Sequence, residues 1–410
     1  MKNEKLYRKC TVRLFPTKKQ EELMWKHVYC CRFTWNYMLG LQIKRRELNK
    51  KHLSWVEMNN EITTLRKQCT EFWLKDVALG SLQQVCNNLD QAYKNFFNKT
   101  HGFPKFKTKK HKKHSFPLKP DGTVTYFINN DMVVVPKIGH VLCHHNYNVP
   151  IGRGNKISDP QISYIKSSKK WILTFSLERE SQTTKLTDKS MGIDLGVKEL
   201  AVVAFGDEKL VFHNINKSKR MRSLEKKRKH IKRAIDRKYR TYNGFGTPAK
   251  GQTWKKSKNI ERYEQMLREI EAKISNIRKN YRHHVTKELV ELLPRRVVME
   301  NLNMASLLNN KHISKAIIEQ GLFLFINTMK YKCEEYEIEF IQVDRWYPSS
   351  KTCSDCGHIK KDLKLKDRTF VCPVCGLEID RDYNAAINLM NYTEKISTTA
   401  NNLVSGKLLA

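Results

Sequence analysis

The hydrophobic pattern in the first part of the chain predicts one strand followed by helices. The segment RKCTVRLFP alternates polar and apolar residues, which is typical of a β-strand, and this strand is expected to end at Pro16. Thr17 followed three residues later by Gln20 forms a capping box, so a helix is predicted to begin there. Helical patterns continue to about Thr100, and apolar residues at steps of three and four predict one amphipathic helix over 79–97.

A second region, from 121 to 180, has the alternation of β-strands. Within it, QISYIKSSKKWILTFSLE reads as a β-hairpin whose turn lies near Ser-Ser-Lys-Lys. These patterns predict an antiparallel β domain that takes up the opening strand. Its residues would be 1–16 and 101–185, with a helical insertion over 17–100.

The second half of the chain alternates short apolar strands with helices, which indicates an α/β domain. Strands are predicted at MGID, RRVVME and IEFIQVD. Two long helices, over 216–240 and 257–292, are expected to pack as an antiparallel hairpin. One further helix is predicted over 312–335, and a short one within DYNAAINLMNY.

The charge of the chain then narrows the range of partners. It has 77 Lys and Arg against 41 Asp and Glu, a formal net charge of +36, which predicts a polyanionic partner. No apolar run reaches the roughly 18 residues of a membrane span, and the N-terminal segment lacks the apolar region of a signal peptide. We therefore expect nucleic acid rather than a membrane. The odd number of Cys, 11, favours the reducing cytoplasm, with association to the nucleoid in a prokaryote.

Two basic segments are candidates for nucleic-acid binding. Residues 216–240 carry thirteen Lys or Arg and two acids, too many cations for an ordinary solvated helix face. Residues 101–116 combine cations with Phe103, Phe106 and Phe116, whose rings would either stack on unpaired bases or anchor the loop to the core. The cations singled out in these two segments are Lys105, Lys107, Lys109, Lys110, Lys226, Lys227 and Arg228.

Four of the Cys residues have the spacing of a structural zinc site. Cys353 and Cys356 form one Cys-x-x-Cys pair, Cys372 and Cys375 form another, and fifteen residues separate the pairs. Four thiolates around one Zn²⁺ leave no open position for water, so the role would be structural.

Three acidic residues stand at the ends of predicted elements. Asp194 and Glu300 each follow a strand, and Asp382 begins a helix. Carboxylates at the end of a sheet suit Mg²⁺ or Mn²⁺. Two such ions ~3.5–4 Å apart can support phosphodiester hydrolysis. The alternative is structural, because a single Asp before Gly is often a turn or cap residue.

Several motifs decide between these alternatives when they are taken together. GIDLGVKELAVV, VVMENLNM, CSDCG with CPVCG, and DRDYNAAINL occur in this order and resemble the three RuvC motifs and the zinc finger of the TnpB family. The N-terminal segments YRKCTVRLFPTKKQEELM, LQQVCNNLDQAYKNFF and GFPKFKTKKHKKHSF are also similar to that family. The resemblance runs from about residue 5 to 392. TnpB proteins are transposon-encoded, RNA-guided DNA endonucleases related to type V CRISPR effectors.

The resemblance implies roles for particular residues. Asp194, Glu300 and Asp382 would be the catalytic acids and would hold two Mg²⁺ or Mn²⁺ ions. Arg381 would contact a phosphate, and Asn384 would either orient Asp382 or cap the helix. In the family, the helix over 79–97 helps to recognise a short motif beside the target. Its amide-rich face could read adenine edges, and the candidate readers are Gln83, Gln84 and Asn87.

The resemblance also implies an architecture. The antiparallel domain would be β-barrel-like, an RNase H-like (RuvC) nuclease domain would comprise residues 186–345 and 378–395, and a zinc ribbon would be inserted at 346–377. From its residues alone, the tail over 396–410 is expected to be weakly ordered. The partners would be a guide RNA and double-stranded target DNA. Two alternatives remain open at this point: a catalytically idle RNA-guided repressor, which would be expected to lose acids, and a DNA strand-transfer transposase. The sequence does not predict an oligomeric state.

Overall fold

The chain divides into two units, Met1–Glu180 and Ser181–Ala410. In this computed structural model the placement of most of the chain is described. The described residues are 6–68, 72–109, 114–119, 125–145, 148–153, 157–179, 185–244, 253–364 and 367–393. Of the predictions above, Lys110 and the tail over 396–410 lie outside the described residues.

The strands of the first unit form one seven-stranded sheet with the order β2-β6-β7-β1-β5-β4-β3. The strands are β1 (Leu6–Phe15), β2 (His114–Pro117), β3 (Tyr126–Asn129), β4 (Met132–Val135), β5 (Gly139–His144), β6 (Ser158–Ile165) and β7 (Lys170–Arg179). All the pairings between these strands are antiparallel. The opening strand lies between β7 and β5, and β6 and β7 form the predicted hairpin. Both expectations are confirmed, whereas closure of the sheet into a barrel stays a prediction.

Three helices follow the opening strand in sequence and pack in the same core. They are α1 (Lys18–Glu47), α2 (Trp55–Gln68) and α3 (Leu79–Phe97). The predicted capping box is present at the start of α1: the Thr17 hydroxyl accepts from the Gln20 N–H, and the Gln20 side chain accepts from the Thr17 N–H. The apolar stripe of α3 is buried as its spacing predicted.

The second unit contains a five-stranded mixed sheet with the order β10-β9-β8-β11-β12, and a separate two-stranded sheet. The strands are β8 (Ser190–Leu195), β9 (Glu199–Phe205), β10 (Glu208–His213), β11 (Arg296–Glu300), β12 (Glu339–Val343), β13 (Thr369–Val371) and β14 (Glu378–Asp380). The strand β11 runs parallel to both β8 and β12, while β9 and β10 run antiparallel to their neighbours. The three parallel strands therefore place their carboxyl ends at one edge of the sheet.

Helices cover both faces of this sheet. The helices of the second unit are α4 (Lys219–Asn243), α5 (Lys258–Glu291), α6 (Met304–Asn309), α7 (Ser314–Gln320), α8 (Leu322–Glu335) and α9 (Arg381–Met390). One core joins the sheet to α5, α7 and α8, and a smaller cluster packs Leu389 of α9 against Val298 and Val343. The basic helix α4 packs along α5 in the predicted hairpin. Among the described residues, no helix combines the length and the apolar character needed to cross a membrane.

The prediction of one continuous helix over 312–335 was wrong. The structure has two helices, α7 and α8, which are separated by Gly321. Gly321 adopts a φ of +69°, a left-handed conformation that ends α7. A Cβ at this position would lie 2.9 Å from the Arg282 guanidinium. The break thus depends on the left-handed backbone conformation of Gly321, which the apolar pattern does not report.

Candidate metal centre

Two of the predicted acids lie side by side at the carboxyl edge of the five-stranded sheet. In the parallel pair formed by β8 and β11, the last register partners are Ile193 and Met299. Asp194 and Glu300 are the next residues on the two strands. Neighbouring strands lie ~4.8 Å apart, and residues in register point to the same face. The sheet therefore brings these two carboxylates together.

A glycine brings the third acid to the same edge. A Cβ built on Gly192 would lie 2.0 Å from the Ala386 carbonyl oxygen and 2.3 Å from the Met390 nitrogen, so the backbone of α9 rests directly on β8. Asp194 is two residues further along the same strand and thus on the same face. Asp382 stands one helical turn before Ala386, in the first turn of α9. This contact directs the start of α9 towards Asp194.

The electrostatics of Asp194 are consistent with this arrangement. Burial raises the pKa of the Asp194 carboxyl well above its usual range, and the charges of Glu300 and Asp382 raise this pKa further. Arg381 acts in the opposite direction. Neighbouring carboxylates repel one another, and a cation that binds among them offsets this repulsion. The acids therefore form a local site for cations within a chain of net charge +36. The donor set, which consists of carboxylate oxygens, fits Mg²⁺ or Mn²⁺.

The two aspartates of the DRD motif have different surroundings. Asp380 caps α9, because its Oδ1 accepts from the Tyr383 N–H at 3.0 Å. Asp382 is partly buried, with the Arg381 Nη2 at 3.2 Å and the Arg368 Nη1 at 3.9 Å. Asp380 therefore has a structural task, and the charge of Asp382 raises the pKa of Asp194 more than the charge of Asp380 does. The Arg381 guanidinium already pairs with Asp382, and its contact with a phosphate stays a prediction.

Sequence reasoning missed the partner of Glu300. The buried Ser349 donates its hydroxyl hydrogen bond to Glu300 Oε1. The two residues are far apart in the sequence, and the residues around Ser349 give no indication that its hydroxyl contacts Glu300. Ser349 lies in the segment 347–354, which joins the five-stranded sheet to the four cysteines.

Both predictions for Asn384 were wrong. Asp380 caps the helix instead, and the buried Asn384 side chain bonds to the backbone of the segment 347–354. Its Nδ2 donates to the Thr352 carbonyl at 2.7 Å, and its Oδ1 accepts from the Ser354 N–H at 3.0 Å. Asn384 therefore attaches this segment to α9 and does not orient Asp382.

The four predicted cysteines form a compact cluster. Their sulfur atoms all lie within 4.8 Å of one another. The Sγ atoms of Cys353 and Cys375 are 3.5 Å apart, as are those of Cys356 and Cys372. Around one Zn²⁺ with Zn–S bonds of ~2.3 Å, tetrahedral geometry gives S···S distances of ~3.8 Å, so the cluster fits that ion.

The carboxylates are spaced more widely than the thiols. Within the described part of the chain, the thiols are the one group of three or more Cys, His, Asp or Glu whose ligand atoms are all within 4.8 Å. Oxygens that share a single Mg²⁺ at ~2.1 Å lie within ~4.2 Å of one another. Two ions ~3.5–4 Å apart accommodate a wider set of ligands. That the acids hold two ions stays a prediction.

A small cavity of about 190 Å³ opens beside Glu300. Asn301, Asp344 and Arg345 line it together with Tyr347. The neighbouring Trp346 is 81 % exposed. The acidic edge is therefore accessible from a side that presents both polar and aromatic groups.

The predicted basic contacts have unequal surroundings. Lys226 and Lys227 on α4 are exposed, whereas the Arg228 Nη2 lies 2.8 Å from Glu225. In the 101–116 loop, Lys105 and Lys109 are exposed, and the Lys107 Nζ lies 3.7 Å from the centre of the Trp35 ring. Lys226 and Lys227 are thus the cations of α4 that are most open to a ligand among the three predicted there.

The three aromatic residues of the loop differ in their burial and contacts. Phe116 is buried in the core, and Phe103 makes edge-to-face contacts with Tyr93 and Phe96. Phe106 is exposed. Two of the rings therefore anchor the loop, and only Phe106 is available for stacking.

The predicted amide readers lie on the open side of α3. Asn87 is exposed, and Gln83 and Gln84 are partly exposed. The Gln84 Nε2 donates to Asn88 Oδ1 at 3.3 Å, and both residues line a cavity of about 310 Å³ next to β6 and β7. Their role as readers stays a prediction.

Three family models match separate parts of the chain. A helix-turn-helix domain of IS605 OrfB proteins matches residues 3–51, a probable transposase of the same group matches 174–311, and the Cas12f1-like TNB domain matches 324–389. The last of these matches spans the four cysteines and Asp382.

Full-length relatives and one solved structure extend these matches. One relative is a protein of Escherichia coli K12 that carries the provisional name RNA-guided DNA endonuclease InsQ. The two sequences are 26% identical, and the match covers 97% of this chain and 94% of that protein. A Streptomyces pristinaespiralis protein with the same kind of name is also 26% identical, over 92% and 87%. The solved structure of the mini-RNA-guided endonuclease CRISPR-Cas_phi3 has a TM-score of 0.52 at 10% identity, covering 94% of this chain and 92% of that chain. This likeness concerns the fold alone.

Proposed function

Because this chain belongs to the TnpB family, we propose that it is a transposon-encoded, RNA-guided DNA endonuclease that hydrolyses phosphodiester bonds at Asp194, Glu300 and Asp382. The observation that carries this proposal is the convergence of three acids from distant segments on one sheet edge in a strongly basic chain. The helices on both faces of the mixed sheet support an RNase H-like core for the nuclease domain.

The three carboxylates would hold two Mg²⁺ or Mn²⁺ ions. When bound, such ions supply Lewis-acid stabilisation of the charge that develops on the phosphate and its leaving oxygen. The chain's own residues fix the donors: β8 and β11 set the spacing of Asp194 and Glu300, and α9 places Asp382 opposite them. Arg381 lowers the repulsion among the acids and keeps the Asp382 carboxylate in place.

The cysteine cluster would hold one structural Zn²⁺. The module's own core is small and is centred on Phe370, so it depends on the metal for its fold. The sheet formed by β13 and β14 leads directly into α9. The module would thus support the segment that carries Asp382.

A guide RNA and double-stranded target DNA would be the partners. Pairing between the guide and the target would supply sequence choice, and the protein would bind the heteroduplex through its backbone and shape. The first unit would recognise the flanking motif through the helical insertion over 17–100, with Gln83, Gln84 and Asn87 as candidate readers. The exposed cations of α4 and of the loop over 101–116 would contact phosphates.

Removing two exposed cations of α4 should weaken RNA binding in a salt-dependent way. In a K226A/K227A variant, the magnitude of the slope of log affinity against log salt concentration should fall by about 1.5. The reason is that each phosphate contact releases counterions when it forms, and this variant forms two contacts fewer. Filter binding of the co-purified RNA at several salt concentrations measures this slope. The control is K273A/K279A on α5, which removes the same charge from exposed positions. Equal slopes for both variants would mean that α4 has no special part in binding.

The proposal is tested directly with the purified protein and the RNA that co-purifies with it. Sequencing this RNA should return one discrete transcript. A DNA target is then designed to pair with the 5′ or 3′ end of that transcript. Plasmid carrying that target should be cut when Mg²⁺ is added and should stay intact in EDTA. Bound but uncut plasmid would instead indicate a repressor, and joined strands would indicate a transposase. RNA without a discrete species would leave ordinary DNA binding as the better account.

A further inference from the structure

One hydrogen bond connects the acidic centre to the segment that leads into the cysteine module. Ser349 is only 2% exposed, and its hydroxyl donates to Glu300 Oε1. Glu300 is partly buried and is the last residue of β11. We propose that Ser349 is a positioning residue that holds the Glu300 carboxylate in the orientation required for cation binding. This inference rests on the proposed function, because it assumes that Glu300 is a metal ligand.

Ser349 is itself held by α9. The Asn388 Nδ2 donates to the Ser349 carbonyl at 2.8 Å and to the Thr352 carbonyl at 2.7 Å. The Tyr347 hydroxyl donates to the Asn388 carbonyl at 3.1 Å. Asn384, one turn earlier, bonds to Thr352 and Ser354 as described above. The segment 347–354 is therefore fixed along one side of α9 by a set of buried hydrogen bonds.

The consequence is a single frame for two of the acids. Asp382 belongs to α9, and Glu300 is bonded to a segment that is fastened to α9. The distance between these carboxylates is thus set by hydrogen bonds as well as by the packing of α9 on Gly192. A carboxylate that is already oriented loses less side-chain freedom when it binds a cation, and its affinity is higher for that reason.

The same frame includes the cysteine module. Ser354, which bonds to Asn384, directly follows Cys353. The module is therefore anchored within a few residues of Ser349. Its structural role would extend to the acidic centre through this short connection, without any contact between the zinc ligands and the substrate.

The test compares S349A with S350A in the RNA-bound protein. Ser350 is the neighbouring, partly exposed residue, so S350A is a matched control. Free Mn²⁺ is counted by electron paramagnetic resonance during a titration without DNA, and the Mg²⁺ concentration that gives half-maximal cleavage is measured separately. S349A should bind Mn²⁺ about tenfold more weakly and should need about tenfold more Mg²⁺. S349T, which keeps the hydroxyl, should recover most of the affinity.

Two results would overturn the inference. The first is Mn²⁺ affinity in S349A that equals the affinity in S350A. The second is a loss of affinity that comes with lost zinc or a lowered melting temperature, since Ser349 would then be merely structural. A D194A variant separates this inference from the proposed function. If D194A binds Mn²⁺ like the wild type, the proposed metal centre fails whatever S349A does. If Mn²⁺ binds at Asp194 but DNA is not cut, the Mn²⁺ titration still tests Ser349.

Discussion

Replacing Asp194 by Asn is expected to abolish DNA cleavage while making the metal-free protein more stable. The side chain keeps its shape but loses the charge that would bind divalent cations, so cleavage of a guide-matched plasmid should fall by at least about 10³-fold. Binding of the RNA and of the uncut target should not change. The gain in stability follows because burial and the charges of Glu300 and Asp382 all oppose an ionised Asp194.

The raised pKa of Asp194 fixes the sign of its pH dependence. Between the pKa of an unfolded Asp and the higher folded pKa, the folded state binds more protons than the unfolded state, so stability falls as pH rises through this window. D194N removes this contribution. At neutral pH in EDTA, D194N should therefore melt a few degrees higher than the wild type. Added Mg²⁺ or Mn²⁺ should stabilise the wild type and have little effect on D194N.

The measurements are thermal melting across pH in EDTA, the same melts with added Mn²⁺, and plasmid cleavage. D207N is the control, because Asp207 is an exposed residue in the turn between β9 and β10. It should change neither stability nor cleavage. Cleavage by D194N at the wild-type rate would remove Asp194 from the catalytic centre. A lower melting temperature for D194N in EDTA would mean that the charge of the wild-type Asp194 carboxylate is compensated in the folded protein.

Much of the fold and the positions of the candidate ligands could be predicted because they depend on local sequence. The capping box at Thr17, the alternation that gives β1 and the stripe that gives α3 each involve residues a few positions apart. The spacing of the four cysteines likewise carries its chemistry without reference to the rest of the chain. The assignment of Asp194, Glu300 and Asp382 as one centre needed more. The prediction that these three acids form one centre came from the resemblance to a family, because no single motif predicts which distant strand ends lie side by side.

The features that could not be predicted all depend on contacts across the sequence. Ser349 meets Glu300 across 49 residues, and Asn384 meets Ser354 across 30. An Asn in the first turns of a helix usually serves as a cap or faces water, so its bonds to a distant segment have no local signal. The helix break at Gly321 was also missed, because Gly is tolerated within a helical pattern and the sequence does not show which Gly adopts a left-handed conformation.

Replacing Gly192 by Ala should have the second large effect, because the added methyl group would overlap the backbone of α9. Its Cβ would lie 2.0 Å from the Ala386 carbonyl oxygen and 2.3 Å from the Met390 nitrogen. Backbone atoms in a packed helix cannot move aside as a flexible side chain can, so α9 must shift away from β8. We expect a loss of about 3 kcal/mol in the free energy of unfolding of the second unit. A displacement of Asp382 by ~1 Å should lower cleavage by about 10²-fold.

The matched control is Gly40→Ala in α1. Gly40 lies in a helix interior, and a Cβ there would meet no atom within 4 Å. The substitution should stabilise the protein by ~0.5–1 kcal/mol, since Ala loses less backbone freedom than Gly on folding. Urea unfolding measures both variants, and plasmid cleavage at a temperature where G192A is still folded measures the displacement of Asp382. If G192A is as stable and as active as the wild type, α9 does not rest on β8, and the argument that places Asp382 beside Asp194 and Glu300 fails with it.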